Sequence, residues 1–192
     1  MTKHIFGIET SGPTSRREIT DRKILDSAFI EFSEYGFQGA STVRIMKRAG
    51  YAPSLFQKNW KTKLAVFMAV LNEWHASEEA AVVAAMKKAA FKDVNDAVSD
   101  ILMQFRESDA GFRSCLALAG RHNSEIHSAC RDAFHNRAEA VLRVAPNLGR
   151  GGREQIYLLI IESVAARIGD VGIPLDRDHG REILTAYVSK AV

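Results

Sequence analysis

Apolar residues recur at helical spacing along almost the whole chain, and no stretch alternates strictly enough to read as a strand. Ser15-Arg16-Arg17-Glu18 has the form of a capping box, after which Ile24, Leu25, Ala28, Phe29 and Phe32 make the buried stripe of a first helix. Gly36 stands where such a helix needs a left-handed residue to end. Ser41 is placed to cap a short second helix with Thr42, Ile45, Met46 and Ala49 inward and Arg44, Lys47 and Arg48 outward, and Gly50 stops it. Pro53, which has no N–H to satisfy, opens a third helix running to about Trp60. With Phe56 and Trp60 one turn apart and facing inward, Ser54 and Lys58 point away, flanked by Leu55 and Gln57.

Beyond Lys61-Thr62-Lys63 a long helix shows Leu64, Phe67, Met68, Leu71 and Trp74 on one stripe and Ala65, Val66, Ala69 and Val70 on the other side. Such a helix must be covered on several sides. Further helices are predicted over 93–106, 110–120, 124–145, 153–169 and 178–191, with a break at residues 146–152. The pattern therefore predicts an all-α chain of about nine helices. It divides into a flexible arm over 1–14, a three-helix unit over 15–63 and a larger helical domain over 64–192.

Composition narrows the class. Charged residues interrupt every apolar run well before the roughly 18 residues that a membrane span needs, so a cytoplasmic protein without a membrane partner is expected. Two cysteines, Cys115 and Cys130, are too few for a disulfide framework and are expected to be reduced. The net charge of +3 is unevenly spread. Residues 1–63 hold 11 Lys and Arg against 6 Asp and Glu, whereas residues 64–192 hold 15 against 17. The basic end points to a polyanionic partner.

Two short helices joined by a tight turn, apolar inside and basic outside, form the arrangement that places a second helix in the DNA major groove. The third helix is then the reader, with Ser54 to Asn59 offering hydroxyl, amide and ammonium groups to base edges and phosphates. The same lysines and arginines on a merely solvated face are the alternative that composition leaves open.

Ile24-Leu25-Asp26-Ser27-Ala28-Phe29, Phe32, Gly36-Phe37, Ser41-Thr42, Ile45, Arg48-Ala49-Gly50, Phe56, Trp60 and Lys63 fall in register, without a gap, with a known pattern. Over about residues 20–71 the chain resembles the N-terminal domain of the tetracycline-repressor (TetR) family of transcriptional regulators. The resemblance implies a homodimer on a palindromic double-stranded DNA operator, with an unidentified small-molecule effector bound in the C-terminal helical domain. In that reading the protein is a repressor, released when the effector favours a state in which the fourth helix shifts. Position by position, it implies that Ser41, Thr42 and nearby Arg44 meet phosphate. Ser54, Leu55, Gln57, Lys58 and Asn59 face the groove or its rim, and Lys63 contacts phosphate. Ala52, Leu55 and Gln57 depart from the family's usual residues, which separates the fold implied from any particular contact map.

In the larger domain, Met68, Trp74, Met103, Phe105, Phe112, Phe134 and Tyr157 are candidates to line a ligand cavity, with Arg121, His122 and Arg167 at its rim; plain core packing is the alternative. The stripes Ile156, Leu159, Ile160, Ser163, Val164 and Ile183, Leu184, Tyr187, Val188 suit a dimer interface built as a four-helix bundle. Cys115, His122, His127, Cys130 and His135 match no compact ligand spacing, so no metal or cofactor is expected. No G-x-S-x-G, P-loop or H-E-x-x-H anchors a catalytic reading, and a helical enzyme is the weaker alternative. Others are a DNA-binding activator or chromosome-organising protein without an inducer, and a protein-interaction module.

Overall fold

The computed structural model describes residues 15–88 and 109–144. Their regular structure is helical, in six elements: α1 (Arg16–Gly39), α2 (Thr42–Ala49), α3 (Pro53–Asn59), α4 (Lys63–Lys88), α5 (Ala110–His122) and α6 (Ser124–Val144). The expected arm over 1–14 and the helices expected over 93–106, 153–169 and 178–191 lie outside the described residues. Contacts divide the chain into two units, one formed by residues 1–77 with 108–130 and the other by 78–107 with 131–192.

Local chemistry sets the ends of the helices in the first unit. Ser15 Oγ accepts from the Glu18 N–H while Glu18 Oε2 accepts from the Ser15 N–H, each at 3.2 Å, completing the capping box. The helical path of α1 breaks at Gly36 (φ 68°, ψ 173°), a conformation essentially reserved for glycine. Gly50 ends α2 in the left-handed region (φ 79°, ψ 28°). There its N–H reaches the Lys47 carbonyl and the Tyr51 N–H reaches that of Met46, the two bonds of a Schellman motif. Thr62 caps α4, its Oγ1 accepting from the Ala65 N–H at 3.0 Å.

The two glycines make different predictions. An added Cβ meets nothing within 4 Å at either position, so the cost of substitution lies in the backbone alone. Gly36→Ala and Gly36→Asn should each lose about 1–3 kcal/mol. Gly50→Asn should lose little, because asparagine adopts the left-handed helical region. Urea unfolding of the three variants checks this, and equal losses for both asparagine variants would refute it.

The core of this unit is a run of aromatic rings that joins α1, on both sides of its break at Gly36, with α4 and α5. Phe67 packs on Phe32 at 4.8 Å, on Phe37 at 4.9 Å and on Phe112 at 5.8 Å between ring centroids. Phe112 in turn lies 4.8 Å from Phe29 and 5.6 Å from Trp74. The buried stripe of α4 is Val66, Phe67, Val70, Leu71 and Trp74, with Leu64, Met68 and Ala69 half-buried beside it, close to the expected stripe. Polar ties accompany the apolar ones. Arg22 of α1 pairs with Glu73 of α4 at 2.6 Å, and Trp74 Nε1 donates to the buried Asp109 at the head of α5 at 3.0 Å. In the second unit, Glu78, Arg137 and Ala140 are buried among the described residues.

Candidate nucleic-acid interface

A seven-residue helix is too short to hold itself in water, so α3 must be held by what it touches. Phe56 is buried, while Tyr51, Leu55 and Trp60 pack half-buried against the same core. Asn59 Nδ2 donates to Asp21 Oδ1 of α1 at 3.0 Å, tying the end of α3 to the first helix. Ala52 offers no side-chain cap, and Pro53 occupies the first turn. The turn from α2 to α3 is residues 50–52, three residues as expected. With its inner face occupied, α3 leaves Ser54, Gln57 and Lys58 exposed.

The α2 side of the interface is built differently from its sequence-level reading. Thr42, Ile45, Met46 and Ala49 face inward and Arg44, Lys47 and Arg48 outward, as the spacing predicts. Ser41, however, makes no side-chain cap. Its N–H instead donates to Glu31 Oε1 at 2.9 Å. The reason is that Glu31 is fully buried on α1 and must collect donors. The same oxygen accepts from Arg44 Nε at 2.6 Å, while Arg44 Nη2 reaches the Gly39 carbonyl at 2.6 Å and the guanidinium lies 4.4 Å from the Tyr35 ring centroid. Arg48 pairs with Glu34 at 2.7 Å. Lys63 at the start of α4 donates to the carbonyls of Gln38 at 3.0 Å and Ala40 at 3.1 Å.

The structure thus gathers Ser41, Thr42, Arg44, Ser54, Leu55, Gln57, Lys58, Asn59 and Lys63 on one compact unit, but in two kinds of setting. Ser54, Gln57 and Lys58 are exposed, whereas Leu55 packs inward and Arg44, Asn59 and Lys63 hold parts of the protein. Sequence reasoning missed Glu31, whose signal is a carboxylate beside the apolar stripe next to Phe32, and Asp21, which carries no comparable signal.

The other candidates are more dispersed. Trp74 and Phe112 are sealed in the aromatic core, Met68 is half-buried against it, and Arg121 and His122 are exposed at the end of α5. Met103, Phe105, Tyr157, Arg167 and the two dimer stripes lie outside the described residues, as does the side chain of Phe134. Among the described residues no three His, Cys, Asp or Glu side chains gather as a metal site, and no helix is long and apolar enough to cross a membrane. Both cysteines are free. Burial pushes the Cys115 thiol up to about 12, against the lowering effects of its hydrogen bond with the Phe37 backbone and of the Lys63 charge; burial raises Cys130 to about 11.

Residues 24–70, which span this interface from the apolar half of α1 into α4, match the model of the tetR family of bacterial regulatory proteins. The matched segment covers about a quarter of the chain. No curated protein matches its sequence significantly. Solved structures extend the likeness to the fold of nearly the whole chain. One described as a TetR-family transcriptional regulator from Mesorhizobium loti MAFF303099 superposes with a TM-score of 0.73 at 14% identity, covering 92% of this chain and 98% of its own. A transcriptional regulator from Rhodococcus sp. Rha1 gives 0.67 at 16% identity over 88% and 94%, and GusR of Salmonella enterica gives 0.68 at 14% over 92% and 98%. Within the matched segment α2 and α3 hold the place of a helix-turn-helix pair, and the described residues are helical throughout their regular structure.

Proposed function

We propose that the protein is a dimeric repressor that lays α3 in the major groove of a palindromic operator and is released by a small-molecule effector. The observation that carries this reading is the exposed face Ser54, Gln57 and Lys58 on a short helix anchored from behind by Phe56 and Trp60. Gln57 and Lys58 suit base edges, and Ser54 suits a base edge or phosphate. The hydroxyls of Ser41 and Thr42 and the exposed ammonium of Lys47 lie on α2 where the flanking backbone would pass. Leu55 and Asn59 belong to the rim and support of the reader. The paired stripes at 156–164 and 183–188 are proposed to join two copies, so that two readers meet half-sites about one helical turn apart. The effector is proposed to bind within the helical domain after residue 63.

Selection from a pool of duplexes with a randomised centre tests the reading. The expected result is enrichment of an inverted repeat. Gln57→Ala and Lys58→Ala should each change the preferred bases within a half-site, with a loss of about 1–3 kcal/mol on the original sequence. Failure to enrich any sequence would overturn the proposal, and unchanged preferences in both variants would remove α3 as the reader. A promoter carrying the enriched repeat should be silenced by the protein in a reporter strain; activation would contradict repression.

A further inference from the structure

Resting on the DNA-binding reading proposed above, we infer that Lys61, in the turn between α3 and α4, contacts the DNA phosphate backbone at the edge of the groove that α3 enters, and that the chain keeps a lysine there at a cost in stability. Among the described residues Lys61 is the one non-glycine residue with a positive φ, 58°. It follows Trp60, the C-cap of α3, and α4 begins at Lys63. So short a link forces the backbone to double back. The Thr62 N–H reaches across Lys61 to the Trp60 carbonyl at 2.6 Å, the closure of a γ-turn, and a positive φ at the centre marks the strained form of that turn.

One helix earlier the chain meets the same demand with glycine. Gly50 ends α2 at φ 79°, where the missing Cβ removes the cost of a left-handed backbone. Glycine or asparagine would serve equally after α3. Lys61 is exposed, so its side chain gives no packing in exchange. What it adds is a positive charge on a long stem, at the far end of the reading helix. Lys58, one turn before it, is exposed on α3. Asn59 is bound to Asp21 of α1 at 3.0 Å, and Asp21 also pairs at 3.7 Å with Arg17, whose side chain is largely exposed. Cations from α1, α3 and the turn thus gather where a helix lying in the major groove meets the flanking phosphates.

Strain and contact are separated by measuring stability and salt dependence on the same variants, with the duplex enriched by selection and a shuffled one as probes. Lys61→Gly should melt about 2–4 °C above wild type, because glycine relieves the backbone. It should nevertheless bind both duplexes about five- to tenfold more weakly at about 0.1 M salt, with the slope of log affinity against log salt lowered by about 0.9, the share of one neutralised phosphate. Lys61→Gln should show the same loss of binding and slope while melting close to wild type, and Lys61→Arg should keep both. A melting temperature that does not rise in Lys61→Gly, or an unchanged slope in folded Lys61→Gln, would overturn the inference.

A measurement on the unaltered protein covers the case in which a variant does not fold. Amine acylation should label Lys61 quickly in the free protein and slowly under either duplex, since a phosphate contact carries no sequence information. Labelling of Lys61 that is as fast with the duplexes as without them would overturn the inference. If the wild-type protein enriches no duplex, the DNA-binding reading fails and the inference falls with it; a wild type that binds while Lys61→Gln keeps the full slope refutes the inference alone.

Discussion

Phe67→Ala is expected to destabilise the protein by about 3–5 kcal/mol, lowering the melting temperature by roughly 10 °C. Phe67 is fully buried, and its ring is where α4 meets Phe32 of α1, Phe37 beyond the break in α1 and Phe112 of α5. Truncation removes the apolar transfer term and leaves a cavity that three rigid rings from three different segments cannot jointly fill. Against a total stability of about 5–15 kcal/mol this is a large fraction, so DNA binding at 37 °C should also fall as the folded population does. Phe67→Leu should lose less, because it keeps most of the volume. Thermal and urea unfolding measure both changes; a melting temperature within 2 °C of wild type for Phe67→Ala, on the scale of roughly 2–4 °C per kcal/mol, would show that the ring contacts contribute little.

Two glycines of α5 should respond to alanine with opposite sign. A Cβ on Gly111 would lie 2.7 Å from the Ser33 carbonyl oxygen and 3.2 Å from the Ser33 Cβ, so α5 must move away from α1. Alanine in a helix gains up to about 1 kcal/mol over glycine, which is too little to offset a collision with backbone. Gly111→Ala is therefore expected to lose about 1–2 kcal/mol net, and Gly111→Val about 2–3 kcal/mol. On Gly120 the nearest atom to a Cβ is the His127 Cα at 3.8 Å, an ordinary contact. There the propensity gain stands alone, and Gly120→Ala should stabilise by up to about 1 kcal/mol. Chemical denaturation of the three variants decides the matter; a stabilised Gly111→Ala would mean that α1 and α5 do not approach as closely as described.

The contrast between these glycines marks where sequence reasoning stops. Period and capping chemistry are local, and so the Ser15–Glu18 box, the breaks at Gly36 and Gly50, the three-residue turn and the inward faces of α2 and α3 were legible from order alone. Nothing local distinguishes Gly111 from Gly120, because the difference lies in which one faces Ser33, a residue far away in the chain. The same holds for the polar ties. Lys63, Arg44 and Asn59 read as cations and an amide near a DNA-facing surface, yet their partners are Gln38, Glu31 and Asp21, brought together by tertiary packing. Ser41 has the side chain of a helix cap but makes no such bond, and what holds it is its own N–H donating to the buried Glu31 of α1. The outward residues of α3 were easier to place, because Phe56 and Trp60 one turn apart leave only one way for that helix to face.

The central claim is that the α2–α3 unit binds DNA through its exposed basic and polar face and reads sequence through α3. Its most direct test is the affinity of the unaltered protein for the enriched duplex and for a shuffled version, measured at several salt concentrations. The account predicts a linear fall of log affinity with log salt for both duplexes, with the enriched one bound at least about 10³-fold more tightly at physiological salt. Equal affinity for the two duplexes, or affinity indifferent to salt, would contradict it.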